Sequence, residues 1–112
     1  MLDPATLERL RVLQQSVGSS ARVLEELSEI FARDSRTYLD ALAAALGAGD
    51  EEESRRLLHT LKGAALGVGA AQVAERSREL EETEPLPDAS VTEDLGRLVD
   101  TALEALHAAQ AE

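Results

Sequence analysis

The sequence contains no cysteine and no tryptophan, and it has one phenylalanine and one tyrosine. Without cysteine, disulfide bonds, thiol nucleophiles and thiolate metal ligands are excluded. The apolar residues are mainly alanine and leucine, which favour helices, whereas the β-branched and aromatic residues typical of strands are scarce. We therefore expect an all-α protein.

Long apolar runs are also missing, and positive charge is in short supply. No run approaches the about 18–20 apolar residues that span a bilayer, and the first residues form no basic or apolar signal segment. Acidic residues outnumber basic ones by 22 to 11, which gives a net charge of −11. This charge argues against nucleic acid and anionic membranes as partners. We expect a soluble cytoplasmic protein.

The length of 112 residues suits a single domain over residues 1–112. Asp3-Pro4 predicts the start of a first helix, which Gly18 ends. A second helix is expected from about Ala21 to Leu46, where Asp34 or Ser35 interrupts the stripe and is expected at its boundary. The apolar stripe of this second helix consists of Leu24, Leu27, Ile30, Phe31, Tyr38, Leu42 and Leu46.

Three further helices follow. Asp50 and Glu53 have the spacing of a capping box at the start of the third helix, as do Ser90 and Glu93 at the start of the last. The predicted inner stripe of the fourth helix is Val73, Ala74, Ser77 and Leu80, and that of the fifth is Leu95, Leu98, Val99, Ala102, Leu103 and Leu106. Because short turns join antiparallel neighbours, the pattern predicts an up-down antiparallel four-helix bundle with an additional N-terminal helix.

The third helix has two different faces. At 100° per residue, its apolar face consists of Leu57, Leu61, Ala64, Ala65 and Val68. The opposite face consists of Arg55, His59, Lys62, Gly63 and Leu66. Glycine in a helix interior costs about 0.5–1 kcal/mol relative to alanine, so Gly63 indicates a need for space beside His59. Lys62 is the only lysine of the chain, and its ammonium is well suited to contact phosphoryl oxygens.

The segment His59-Thr60-Leu61-Lys62-Gly63, followed by Gly69-Ala70, resembles the motif of histidine-containing phosphotransfer (HPt) domains. That motif is His-x-x-Lys-Gly with Gly-Ala or Gly-Leu some six residues later. The resemblance implies a phosphorelay intermediate whose phosphoacceptor, His59, carries a phosphoryl group between receiver aspartates of response regulators. Lys62 would then stabilise the phosphoryl group.

The same resemblance implies a phosphocarrier rather than an enzyme, since the chain has no autokinase or ATP-binding domain. No cofactor or metal site is expected in the chain itself, because the partner receiver domain would supply the magnesium. The implied partners are response-regulator receiver domains and a sensor or hybrid histidine kinase, and we expect a monomer. The other histidine, His107, is expected to be an ordinary surface residue.

Glu81 follows His59 by 22 positions. If the third and fourth helices are antiparallel and joined by a tight turn near residue 70, these two positions lie opposite each other. HPt domains that resemble this chain have Glu or Gln at the matching position, where it orients the imidazole from the nitrogen away from the phosphoryl group. The alternative is that Glu81 is a solvated residue among acidic neighbours. We expect an exposed His59 with Glu81 close to its Nδ1.

Arg55, Arg56 and Lys62 place three cations around His59 in an acidic chain. Such a basic patch would orient the encounter with the acidic pocket of a receiver domain. Gly63 and Leu66 would provide a flat landing surface, so these two residues and both arginines are predicted to dock the partner.

Two other functions are compatible with the sequence. The chain could be an HPt-like adaptor that binds a receiver or kinase without phosphotransfer. It could also be the N-terminal phosphoacceptor domain of a larger chemotaxis-type or hybrid histidine kinase.

Overall fold

A computed structural model of the chain describes residues 3–9 and 20–110. Its regular structure consists of a helical segment, α1, over residues 4–9, followed by α2 (Ser20–Gly47), α3 (Glu51–Gly67), α4 (Ala71–Glu82) and α5 (Val91–Gln110). No β-strand occurs among these residues, so the predicted all-α class is confirmed. The predicted end of the first helix at Gly18 lies outside the described residues.

The four longer helices form the bundle. α3 packs against α2 and α4, and α5 packs against α2 and α4, which closes the ring. The turns at residues 48–50 and 68–70 are short, so the helices that they join are antiparallel. Within the described residues, no helix is both long enough and apolar enough to cross a membrane.

The core is built from apolar residues of all four bundle helices, including the predicted stripes of α3, α4 and α5. The buried residues of α4 are Val73, Ala74, Ser77 and Leu80, as predicted. In α3, Leu57, Leu61 and Ala65 are buried, but so is Leu58, at 1% exposure. Because α3 packs on α2 and α4 at once, it buries a wider face than the predicted stripe. Burial of each such leucine contributes about 1.5–3 kcal/mol.

Two residues of α2 differ from the prediction. Ile30 was expected in the buried stripe but is 45% exposed. It is turned by about 100° from Phe31, and Phe31 is the residue that enters the core. Ser35 was expected at a boundary but is fully buried. Its Oγ donates a hydrogen bond to the Phe31 carbonyl at 2.6 Å, which removes the cost of burying a hydroxyl.

The predicted capping box at the start of α3 is half formed, since the Asp50 N–H donates to the Ala45 carbonyl and not to Glu53. The Asp50 carboxylate accepts a hydrogen bond from the Glu53 N–H at 3.2 Å. The Glu53 carboxylate contacts the Arg56 guanidinium, and this hydrogen bond lowers the pKa of Glu53.

The predicted capping box at Ser90 is wrong. The Ser90 hydroxyl and N–H both donate to the Asp88 carboxylate, and the Glu93 N–H donates to the Ser90 carbonyl. Asp88 lies two residues before Ser90 and forms a local turn with it, so the Ser90 hydroxyl is already used.

The start of α1 docks on the turn between α3 and α4. Asp3 caps α1 as predicted, since its carboxylate accepts from the Ala5 N–H at 3.3 Å and from the Thr6 hydroxyl at 2.8 Å. The Asp3 N–H donates to the Gly69 carbonyl. Gly69 has a φ of 73°, and a Cβ added there would lie 3.0 Å from Thr6 Cβ. The turn therefore needs glycine for both its backbone conformation and the approach of α1.

Candidate functional site: the exposed surface around His59

His59 lies at the middle of α3, on the side that faces solvent. Its side chain is 66% exposed. The neighbouring Leu57 and Leu58 are buried on the opposite side and hold the helix against the bundle. The prediction that His59 is exposed near the middle of its helix is confirmed. An imidazole in this position is accessible to a macromolecular partner.

Glu81 of α4 lies behind the imidazole. Its Oε1 is 3.1 Å from His59 Nδ1, and its side chain is 24% exposed. The predicted proximity is confirmed, because the antiparallel α3 and α4 bring positions 59 and 81 opposite each other. A carboxylate within hydrogen-bond reach of Nδ1 favours the tautomer that carries its proton there. The lone pair of Nε2 is then on the outward side of the ring.

Lys62 lies one helical turn after His59. Its Nζ is 3.8 Å from Glu81 Oε2, and the side chain is 26% exposed. Glu81 thus lies between the imidazole and the ammonium, with one carboxylate oxygen toward each. The distance to Lys62 exceeds a normal hydrogen bond, so this ion pair is loose.

The two arginines near His59 occupy different environments. Arg56 is 61% exposed, and its guanidinium pairs with Glu53. Arg55 is 26% exposed and reaches across to the end of α4. Its guanidinium donates to the carbonyl oxygens of Glu81 and of Thr83, the latter at 3.1 Å. Both arginines, like Lys62, have a carboxylate partner, so the predicted basic patch is locally balanced by acidic groups.

The contacts of Arg55 were not predicted from the sequence. The signal was present in α4, whose last turn contains Glu79, Glu81 and Glu82 and no basic residue. Arg76 and Arg78 of the same helix pair with Glu79 and Glu82. The last carbonyl groups, which carry partial negative charge, favour a cationic donor from another helix.

Small and apolar residues extend the surface beside His59. A Cβ added to Gly63 would meet nothing within 4 Å, so the space above this residue is open. Leu66 is 58% exposed. A shallow cavity of about 400 Å³ between α3 and α4 continues from Lys62 and Leu66 to Ala71 and Ala74. Of the predicted docking residues, Arg56, Gly63 and Leu66 lie on open surface, whereas Arg55 is largely covered.

The described residues contain no group of three or more His, Cys, Asp or Glu side chains that could hold a metal ion. The expectation that a partner supplies the magnesium stays a prediction. His107 of α5 is exposed, as predicted.

The fold and the site together define a class of protein: an antiparallel helical bundle that presents one exposed histidine, with a carboxylate behind it, from a central helix. Residues 26–109 match the family model of the Hpt domain. The chain belongs to this family. No curated protein and no solved structure gave a significant match. Hpt domains are phosphocarriers of two-component phosphorelays, where they interact with response-regulator receivers and with kinases.

Proposed function

We propose that this Hpt domain is a phosphorelay intermediate that receives a phosphoryl group on His59 Nε2 from one receiver aspartate and passes it to another. The observation that carries the proposal is the 3.1 Å distance between His59 Nδ1 and Glu81 Oε1, in an imidazole that is 66% exposed. Glu81 would thereby hold one ring nitrogen, and the other would be left to the partner.

The transfer step needs no general base, because no proton has to leave the imidazole. The Nε2 lone pair attacks the phosphorus of the aspartyl phosphate, and the N–P bond forms as the P–O bond to the receiver breaks. The electron pair of that bond leaves with the aspartate oxygen. Nδ1 keeps its proton, so the ring becomes cationic, and the Glu81 carboxylate offsets this charge. Transfer to the next receiver reverses these steps.

Lys62 would stabilise the phosphoryl oxygens. Its ion pair with Glu81 is 3.8 Å long and partly exposed, so it contributes little free energy. The ammonium can therefore turn toward a phosphoryl group on His59 at little cost in stability. The ammonium then offsets negative charge in the transition state and in the phosphorylated product. The magnesium that phosphoryl transfer needs would come with the receiver domain.

Gly63 and Leu66 would form the landing surface, and Arg56 would supply the exposed positive charge toward the receiver. One domain over residues 1–112, a monomeric state and a cytoplasmic location belong to the same proposal. The chain would depend on a sensor or hybrid histidine kinase for its phosphoryl groups, since it would have no kinase activity of its own.

Phosphoryl uptake tests the proposal. The protein is incubated with radiolabelled phosphorylated receiver domains and magnesium, alongside His59→Gln and, as a matched control at the other histidine, His107→Gln. We expect acid-labile, alkali-stable label on the wild type and on His107→Gln, and none on His59→Gln. Receiver binding without label on any of the three would instead favour the adaptor function.

A further inference from the structure

The last turn of α4 carries Glu81 and ends in backbone carbonyl groups that need hydrogen-bond donors. Glu79, Glu81 and Glu82 place three carboxylates at the end of this helix, and Arg76 and Arg78 of the preceding turn pair with two of them, Glu79 and Glu82. The C-terminal end of a helix carries partial negative charge, and its last carbonyl groups have no partner within the helix. A donor and a positive charge from outside α4 therefore stabilise the carbonyl end of this helix.

Arg55 of α3 supplies both. One terminal nitrogen of its guanidinium donates to the Glu81 carbonyl, and the other donates to the Thr83 carbonyl at 3.1 Å. The second nitrogen also lies 3.3 Å from carboxylate oxygens of Glu51 and Glu84. Those two carboxylates are 64% and 80% exposed, so solvent screens both pairs, and the carbonyl contacts carry the interaction.

We propose that Arg55 is a positioning residue for phosphotransfer: it clamps the end of α4 to α3 and so keeps Glu81 beside His59. Arg55 lies one helical turn before His59 on the same helix, so the clamp joins the stretch that presents the imidazole to the stretch that carries its carboxylate partner. The inference rests on the proposed function and deepens it. It also replaces the docking role that the sequence predicted for Arg55.

The two terminal nitrogens of the guanidinium are both essential to this role. A planar guanidinium can donate to two carbonyl oxygens at once, whereas an ammonium is a point charge on a flexible chain. Arg55→Lys therefore keeps the charge and loses the second contact. A residue that acted only through charge toward a partner would tolerate this change.

The first test follows the imidazole without any phosphoryl group. The ¹⁵N chemical shifts of His59 are compared at alkaline pH in the wild type, Arg55→Ala, Arg55→Lys and the matched control Arg56→Ala, which removes the same charge one residue away. We expect the Nδ1–H tautomer in the wild type and in Arg56→Ala, and a shift toward the Nε2–H tautomer in both Arg55 variants. Unchanged tautomer signals in a folded Arg55 variant would overturn the proposal.

The second test is a double-mutant cycle on the rate of phosphoryl uptake. We expect Arg55→Ala and Glu81→Ala each to slow uptake by about tenfold, the scale of losing a residue that orients a reactive histidine. If Arg55 acts through Glu81, the double variant is slowed by less than about twofold beyond Glu81→Ala. If the rate losses of the two single variants multiply in the double variant, Arg55 acts independently of Glu81, as a residue that contacts the partner would. That result would overturn the proposal.

The two tests separate the failure of this inference from that of the proposed function. If the wild type accepts no phosphoryl group, phosphotransfer fails, and the tautomer signals still decide whether Arg55 positions Glu81. Thermal unfolding of each variant establishes that it is folded, and Arg55→Lys replaces Arg55→Ala in the cycle if the alanine variant does not fold.

Discussion

Glu81 Oε1 lies 3.1 Å from His59 Nδ1, while Glu81 Oε2 lies 3.8 Å from Lys62 Nζ. A single half-buried carboxylate of α4 is therefore shared between two residues of α3 that lie one turn apart. Its position depends on how α3 and α4 pack, and not on either helix alone. The fold therefore brings these three side chains together without a partner, and such preorganisation would favour the proposed phosphoryl transfer.

We predict that a glycine is needed at position 63 for docking of the partner and not for the stability of the fold. Because a Cβ there would meet nothing within 4 Å, Gly63→Ala should stabilise the bundle by about 0.5–1 kcal/mol. We expect the same variant to slow phosphoryl uptake by about tenfold, since a misplaced reactant loses rate steeply. Urea unfolding and uptake rates, measured on the same samples, check both effects.

Gly96→Ala is the matched control. Gly96 lies within α5, away from His59, and a Cβ there also meets nothing within 4 Å. It should stabilise the fold to a similar extent and leave uptake unchanged. Full uptake by Gly63→Ala would show that this glycine has no docking role.

We predict that a glycine is needed at position 69 for the stability of the fold. Gly69→Ala should destabilise the protein, because a left-handed backbone costs a residue with a Cβ about 1–2 kcal/mol and the Cβ would also press on Thr6. Gly49→Ala separates the two causes, since Gly49 has a φ of 71° and nothing within 4 Å of its added Cβ. We expect a larger loss in urea unfolding for Gly69→Ala, and equal losses would contradict the docking of α1 on this turn.

Ser77 is predicted to weaken the core. Its Oγ is buried and has no hydrogen-bond partner within the described part of the chain, so Ser77→Ala should stabilise the protein by about 1 kcal/mol. Ser54 is equally buried, but its Oγ donates to the Asp50 carbonyl at 2.7 Å, and Ser54→Ala should not stabilise the protein. Chemical unfolding compares the two. A destabilised Ser77→Ala would show that this hydroxyl finds a partner in solution.

Acid is predicted to weaken the fold through surface carboxylates. Hydrogen bonds from Arg56 and from Arg78 lower the pKa of Glu53 and of Glu75, respectively. A carboxyl group whose pKa is lower in the folded state stabilises that state above its unfolded pKa. This stabilisation should be lost as the pH falls below about 4.3, the ordinary pKa of glutamate, and through the lowered pKa.

The measurement for this effect is the free energy of unfolding between pH 7 and pH 3 for the wild type and Glu53→Gln. We expect a shallower acid loss in the variant, because Gln does not titrate. Identical pH slopes would show that Glu53 contributes nothing to acid sensitivity.

The sequence predicted what depends on periodicity and chain connectivity. The inner face of α4 follows from the spacing of Val73, Ala74, Ser77 and Leu80, and all four are buried. The pairing of His59 with Glu81 follows because a tight turn makes α3 and α4 antiparallel, so positions at equal distances from it meet.

What the sequence could not predict depends on how each helix is rotated in the bundle. Ile30 and Phe31 are adjacent apolar residues of α2, and only the packed neighbours decide that Phe31 is buried and Ile30 exposed. The position of Arg55 on the face of His59 predicted that it docks a partner. Its contacts with carbonyl groups at the end of α4 depend on how the two helices pack, and the sequence pattern does not report this. The predicted capping box at Ser90 is wrong because the Ser90 hydroxyl donates to Asp88, which lies outside the four-residue pattern.

We infer that the fold reserves Nδ1 of His59 for Glu81 and leaves Nε2 to the phosphoryl group. The most direct measurement is the ³¹P and ¹⁵N NMR spectrum of the phosphorylated protein, with His59→Gln as the blank. We predict a phosphoryl group bonded to Nε2 of His59, with Nδ1 still protonated. A phosphoryl group on Nδ1, or on His107, would contradict this assignment of the two ring nitrogens.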